Sequence, residues 1–176
     1  ARLATFTDAN GNTIAPLADG RSVFSVYVKN FVIEGKGGEY ATSDGVIYTA
    51  DMTELIFCPA GKEGTVTIPA SVKKIREKAF ENCSGLTGVT FEAGSALTEI
   101  GSLAFNWCTG LTELALPDSV AKIGADAFGN CTGLTALTLP AAFTEFDSSI
   151  ISGCKNLREL NVSAANTHYK SIDGVL

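Results

Sequence analysis

Signatures of metal binding and catalysis are scarce in this 176-residue sequence, which has five cysteines and a single histidine, His168. No two cysteines form a close pair such as Cys-x-x-Cys, the usual arrangement of zinc ligands. A cysteine nucleophile also needs a positioned base, and one histidine near the end of the chain is a weak candidate. No serine-centred elbow, phosphate loop or EF-hand spacing is present. We therefore expect no catalytic residue, no metal site and no cofactor.

Positive charge and long apolar runs are also in short supply. The 13 lysines and arginines are outnumbered by 19 acidic residues, which gives a net charge of −6. A nucleic-acid partner is not expected, because such proteins carry a basic surface. The one basic run, KKIREK at residues 73–78, is interpreted as a solvated face. No stretch approaches the roughly 20 apolar residues of a membrane helix, so membrane insertion is not expected either.

A repeat of about 23 residues occupies the middle of the chain. Its clearest unit is LTELALPDSVAKIGADAFGNCTG, residues 111–133. The alternation of Leu114 and Leu116 predicts a short strand that Pro117 ends, and residues 120–123 predict a second extended piece. The segment GADAFGN that follows predicts a helical turn. The unit that begins at Leu86 carries two extra residues near EAGSA, which we place in a loop after its first strand.

One unit is too small to bury its own apolar side, so neighbouring units must stack. Each buried apolar side chain then contributes roughly 1.5–3 kcal/mol. The predicted fold is an α/β repeat solenoid, a right-handed leucine-rich-repeat array of ~23-residue coils with short parallel β-strands and a β-rich N-terminal cap. Two of the stacked apolar columns are Val66, Val89, Leu114, Leu137 and Leu160, and Ile68, Phe91, Leu116, Leu139 and Val162.

The recurring order of Leu, Pro, Ser-Val, Ile-Gly, Ala-Phe and Cys resembles the repeat of BspA-like leucine-rich-repeat proteins, also described as the Treponema pallidum type. The resemblance covers roughly residues 65 to 160. It implies a secreted or cell-surface protein of a host-associated bacterium, involved in adhesion and protein binding. Host or bacterial surface proteins or glycans are the partners that it implies. Ligand identity and oligomeric state are left open.

The flanks suggest four segments. Residues 1–38 are predicted to be a β-rich N-terminal cap or linker, because FTDANGNTI has an Asn-Gly turn between strand-like flanks and residues 21–33 are strand-like. Residues 39–64 are predicted to be a cap-like hairpin unit with an Asp-Gly turn at Asp44, and residues 65–165 the repeats. Residues 166–176 share Tyr and Asp-Gly-Val with that unit and start a second one, apparently truncated, either because the chain was cut from a longer protein or because the cap is incomplete.

Four cysteines recur in one frame, 25, 23 and 23 residues apart. Neighbouring strands lie about 4.7–4.9 Å apart, whereas the Cβ atoms of a disulfide lie about 3.5–4.5 Å apart. We therefore expect buried, unbridged thiols that act as small hydrophobes. Cys58 is predicted to lie outside this column with a free thiol and no partner. The predicted structural ladder consists of Cys83, Cys108, Cys131 and Cys154.

Candidate contact residues are few. Trp107 stands where other units have Asn82, Asn130 and Gly153. It either packs over the extra loop residues of its own coil, the interpretation that we favour, or is exposed as a binding anchor. Trp107, Lys73 and Lys74 are the possible ligand contacts. The second extended pieces expose a column of alternating charges that should support the stacking: Lys74, Glu99, Lys122 and Glu145.

The predicted function is that of a non-catalytic cell-surface or secreted leucine-rich-repeat protein that mediates protein or glycan binding and adhesion. A passive structural spacer that projects other domains is one alternative. A parallel β-helix enzyme acting on polysaccharides is a weaker one. Such an enzyme would need charged residues grouped on a strand face, and the outward strand positions are small and threonine-rich instead.

Overall fold

The computed structural model describes residues 6–7, 13–14, 30 and 39–170 of the chain. Strands β1 (Phe6–Thr7) and β2 (Thr13–Ile14) pair antiparallel, which confirms the hairpin predicted around the Asn-Gly turn. The rest of the predicted N-terminal cap, including the strand at residues 21–33 apart from Asn30, lies outside the described residues. The Asp-Gly turn predicted at residues 173–174 also lies outside them.

The remaining elements alternate between two sheets. They are β3 (Tyr40–Ser43), β4 (Val46–Thr49), β5 (Glu54–Phe57), β6 (Gly64–Ile68), β7 (Lys74–Ile75), β8 (Leu86–Phe91), β9 (Glu99–Ile100), β10 (Glu113–Ala115), β11 (Lys122–Ile123), β12 (Ala136–Leu139), a 3-10 helix (Ser148–Ile151) and β13 (Glu159–Val162). The first sheet has the order β13-β12-β10-β8-β6 and is parallel throughout. The second has the order β11-β9-β7-β5-β4-β3. This is a solenoid of about five coils, as predicted.

The register of the first sheet follows the repeat of the sequence. Gly88 pairs with both Thr65 and Glu113, while Ala136 pairs with both Glu113 and Glu159. In β10 the side chains of Glu113 and Ala115 are exposed and Leu114 is buried between them. The alternation arises because successive side chains of a strand point to opposite faces. The predicted columns of apolar residues are therefore confirmed.

Tight turns take the place of the predicted helical turn. In the coil that precedes β8, the amide of Ala79 donates to the carbonyl of Arg76, and the amide of Cys83 donates to the carbonyl of Phe80. Each bond joins two residues that are three apart in the sequence, as in a tight turn. Lys78 and Asn82 adopt positive φ values of 60° and 64°. Each such left-handed residue interrupts a right-handed helical run, so no α-helix forms among the described residues. The α part of the α/β prediction is reduced to the one 3-10 helix.

Aromatic rings stack along the core where these turns cross the coils. The rings of Phe80 and Phe105 are 4.7 Å apart between centroids and 9° from parallel. Phe105 and Phe128 are 5.5 Å apart at 18°. All three side chains are fully buried, so each ring covers the next one along the array.

The hairpin of β3 and β4 is part of the second sheet. Asp44 and Gly45 form its two-residue turn with φ values of 49° and 72°, as a type I′ turn requires. The Nζ atom of the nearly buried Lys62 donates to the Asp44 carbonyl and carboxylate, both at 2.7 Å. Strand β5 then pairs antiparallel with β4 and parallel with β7. The cap-like unit and the repeats therefore share one sheet, and the segment boundaries stay predictions.

Hydrogen bonds of Asn166 and Tyr169 stabilise the C-terminal end of the described array. The buried Asn166 side chain donates to the carbonyls of Pro140 and Phe143 at 2.8 Å, and its Oδ1 accepts the amides of His168 and Tyr169. The Tyr169 hydroxyl donates to the Thr144 carbonyl at 2.8 Å. These bonds satisfy backbone groups of the fourth coil that no strand covers.

Candidate binding surface

The described residues offer little for catalysis or metal binding. No group of three or more His, Cys, Asp or Glu residues that could hold a metal ion occurs among them. His168 is exposed, and its Nδ1 lies 3.3 Å from the hydroxyl of its neighbour Thr167. Within the same residues no helix has the length and apolar character to cross a membrane.

The predicted cysteine ladder is present, with one correction. Cys83, Cys108 and Cys131 are fully buried and unpaired, but Cys154 is only partly buried. Cys154 belongs to the last complete coil, and after it the described array continues only with β13 and the Asn166 segment, so less material covers it. The thiols donate to carbonyls of the preceding coil: Cys108 to Phe80 at 3.1 Å, Cys131 to Phe105 at 3.0 Å and Cys154 to Phe128 at 2.9 Å.

Cys58 is buried and carries a free thiol outside the cysteine ladder, as predicted. Its amide donates to the carbonyl of Ala79 at 2.7 Å, as the Phe80 amide donates to Ala104 one coil later. Cys58 thus stands at the head of the phenylalanine column. Its carbonyl accepts the thiol of Cys83 at 3.7 Å.

Burial makes these thiols poor nucleophiles. It raises the pKa of Cys131 to about 12 and the pKa of Cys58 and of Cys108 well above the usual value. A reactive cysteine needs the opposite shift, because the thiolate is the nucleophile. The ladder is therefore a packing and hydrogen-bonding element of the coils.

One of the predicted contact lysines, Lys74, forms an ion pair within the column of alternating charges. Lys74 and Glu99 are in register, and their Nζ and Oε1 atoms are 2.7 Å apart. Lys122 is in register with Glu99 from the other side. Such exposed pairs contribute about 0–1 kcal/mol each, so the column supports the register. Lys73 is exposed beside it.

Trp107 has both an unusual backbone and an unusual exposure. Its φ is 62°, and the matching Asn82, Asn130 and Gly153 have φ values of 64°, 55° and 73°. Asn and Gly tolerate this left-handed conformation, whereas for a bulky residue it is an outlier. Its side chain is 49% exposed, the one large apolar side chain so exposed in the described part of the chain.

A second apolar residue lies in the same turn. Leu103 has a φ of 59° where the neighbouring coils have Lys78 and Asp126 at 60° and 52°. Both left-handed corners of the second coil, residues 86–110, therefore carry apolar side chains, and the corners of its neighbours carry polar ones. We call Leu103 and Trp107 the apolar corner. Each left-handed L-residue costs on the order of 1–2 kcal/mol, so core stability does not explain this choice.

Packing of Trp107 over the extra loop residues is not supported. Trp107 lies before the start of the next first-sheet strand, whereas those loop residues follow the end of β8. Strand β8 has six residues, so the two ends are about 17 Å apart at roughly 3.3 Å per residue. Lys73 and Lys74 lie in yet another part of the preceding coil, at the second sheet. The three predicted contact residues therefore do not form one site.

A row of polar side chains runs beside the apolar corner, and no sequence signal pointed to it. The buried Asn106 accepts the Asn130 amide at its Oδ1, 3.2 Å away, and donates to Glu81 at 3.4 Å. The Trp107 amide donates to the carbonyl of Gly129 at 2.9 Å. Bonds between three coils thus fix the backbone that presents Trp107.

The parallel coils, the apolar columns and the asparagine turns define a leucine-rich-repeat solenoid. Residues 55–172 match six copies of the BspA type leucine rich repeat region, and the chain belongs to that family. The predicted resemblance is thereby confirmed, and the match begins inside the predicted cap-like unit.

Solved structures of bacterial leucine-rich-repeat proteins are similar to this chain. One from Eubacterium ventriosum is 28% identical with a TM-score of 0.64, over 77% of this chain and 36% of its own. One from Bacteroides capillosus is 26% identical with a TM-score of 0.62, over 72% and 100% of the two chains. One from T. pallidum is 26% identical with a TM-score of 0.52, over 69% and 66%. No curated protein matches the chain.

Proposed function

We propose that this chain is a non-catalytic binding module of a secreted or cell-surface bacterial protein, and that it contacts a protein or glycan through the apolar corner. The observation that carries the proposal is Trp107, half exposed in a left-handed conformation where three other coils have Asn or Gly. Tryptophan is one of the three residue types enriched at the energetic centres of interfaces. The strain and the exposure of Trp107 therefore support a role of this residue in contact with a partner.

The extracellular location and the adhesive role come from the family resemblance. Bacterial leucine-rich-repeat structures are the neighbours of this chain, and it spans 36% of the length of the E. ventriosum protein. The activity and partners of the whole protein are therefore part of the proposal. Lys73 remains a candidate contact at a separate surface, whereas Lys74 is held by Glu99.

The test is an array of extracellular-matrix proteins and glycans probed with the intact protein and with Trp107→Asn. Asn is the residue of the matching position in two coils, so the variant keeps a residue suited to the turn. We expect at least a tenfold loss of binding with an unchanged circular dichroism spectrum. The matched control is Lys73→Glu, which reverses charge at the other surface and should leave this binding within about twofold.

Two results would count against the proposal. Binding that survives in Trp107→Asn would remove the apolar corner as the contact. Absence of binding to every protein and glycan on the array would favour the passive spacer instead.

A further inference from the structure

Strand pairing in the first sheet is shortest between β8 and β10. Strands β6 and β8 pair at five positions, with one shift of register after Gly64, and β10 and β12 pair at three. In contrast, β8 and β10 share the single pair Gly88 and Glu113. Beyond this pair the regular strand pairing stops, and a cleft of about 510 Å³ lies at the carboxyl ends of the two strands. The cleft is shallow and open to solvent.

Two features of the second coil accompany the short pairing of β8 with β10. From Val89 to Leu97 the chain takes eight steps, whereas the same part of the next coil takes six, from Leu114 to Val120. The longer loop turns at Gly94 with a φ of 76°. Phe91 also stands where the next coil has the smaller Leu116.

The walls of the cleft are apolar. Phe91, Leu116 and Pro117 line it, and all three are only partly buried. At its base the hydroxyl of Ser119 donates to the carbonyl of Leu97 at 2.7 Å and ties the two coils together. The cleft therefore has a fixed base beneath partly exposed apolar walls.

Two carboxylates form the rim, one on each side. Glu92 accepts the amide of Ala70 in the preceding coil at 2.9 Å, and Asp118 accepts the amide of Ala141 in the following coil at 2.9 Å. Each bond uses one carboxylate oxygen and fixes the group at the rim. No lysine, arginine or histidine is among the described residues that line the cleft. The rim is thus a fixed pair of negative charges without a cation.

We propose that this cleft takes an arginine side chain of a partner protein. The apolar walls suit the three methylene groups, and the rim carboxylates complement the charge of the guanidinium. The net charge of −6 favours the approach of a cationic partner. The residues that line the cleft include neither Leu103 nor Trp107, so the proposal stands whether or not Trp107 contacts a partner.

The probe is Nα-acetyl-arginine methylamide, and its matched control is Nα-acetyl-citrulline methylamide, which has the same shape without the charge. Each is titrated into the ¹⁵N-labelled protein at low ionic strength, and amide chemical shifts are followed. We expect saturable shifts at Thr90, Phe91, Ser95 and Ser119, with at least tenfold weaker binding of the citrulline probe. Added salt should weaken the arginine complex, because the attraction is screened.

Two variants then test whether the rim carboxylates, rather than the negative charge of the whole protein, bind the arginine probe. The double variant Glu92→Gln, Asp118→Asn keeps an acceptor oxygen for the amides of Ala70 and Ala141 but removes both charges. It should bring the two probes to within about threefold of each other. Glu113→Gln removes an exposed charge on β10 outside the cleft and should change arginine binding less than twofold.

Equal binding of the two probes to the unmodified protein would overturn the proposal. Arginine-dependent shifts confined to the surface around Glu99 and Glu145 would overturn it as well, because they would report surface attraction away from the cleft.

Discussion

Replacement of Trp107 by Gly and by Ala tests whether this corner is left-handed. In most positions Gly is less stable than Ala by about 0.5–1 kcal/mol, because its unfolded chain has more freedom to lose. At a φ of 62° Ala incurs the left-handed cost of about 1–2 kcal/mol, and Gly does not. The difference gives Trp107→Gly an advantage of about 0.5–1 kcal/mol over Trp107→Ala. The expected order is therefore the reverse of the usual one.

The assay is urea unfolding followed by far-ultraviolet circular dichroism, since Trp107 is the only tryptophan and its fluorescence is lost in both variants. In thermal unfolding of a chain of this size, the same difference in free energy shifts the midpoint temperature by about 1–4 °C. Ala125→Gly is the matched control, because Ala125 is exposed in a turn without a positive φ. It should lose about 0.5–1 kcal/mol.

If Trp107→Ala proves as stable as Trp107→Gly or more stable, the left-handed conformation is wrong. Trp107 would then not be a residue that is kept at a cost in stability. If the order is reversed as expected and Trp107→Asn still unfolds within about 1 kcal/mol of the unmodified protein, stability does not require the tryptophan.

Three further predictions concern buried polar groups. Tyr48→Phe should leave the free energy of unfolding unchanged or raise it by up to about 1 kcal/mol, because the buried Tyr48 hydroxyl has no hydrogen-bond partner among the described residues; a loss above 1 kcal/mol in urea unfolding would refute this. Asn166→Asp should cost about 2–3 kcal/mol, since it removes both donors to the Pro140 and Phe143 carbonyls; unchanged hydrogen exchange at the Tyr169 amide would contradict it. Stability should fall as pH rises from about 8.5 towards 12, because the Cys131 thiol stays protonated in the folded state up to a pKa of about 12 while the unfolded thiol ionises first. A urea midpoint that is flat over this pH range would exclude that linkage.

The sheet register and the core were predictable because the repeat constrains them jointly. Val66, Val89 and Leu114 keep their side of the strand in every coil, and a one-residue slip would expose all of them at once. Cys83, Cys108 and Cys131 recur in the same frame, which placed them in the core. Stacking of equivalent positions carries each such assignment from coil to coil.

The left-handed corners and the cleft were harder to predict from the sequence than the register and the core. Lys78, Leu103 and Asp126 share a left-handed backbone but no side-chain chemistry, so no pattern marked their position. The place of Cys58 at a phenylalanine position was not predicted, because the column keeps its burial there but not its residue type. The extra loop residues were visible in the sequence, but the short pairing of β8 with β10 was not.

These departures from the repeat fall in one coil. The second coil holds the longer loop, the Phe91 substitution and the apolar corner, whereas the third coil has the shorter loop, Leu116 and polar corners. Local conflicts with the rules of a fold are expected where function has selected them. The cleft lies at the carboxyl ends of β8 and β10, and the apolar corner lies between β9 and β10, so both surfaces belong to different parts of one coil. The neighbouring coils then act as the rigid support of both surfaces.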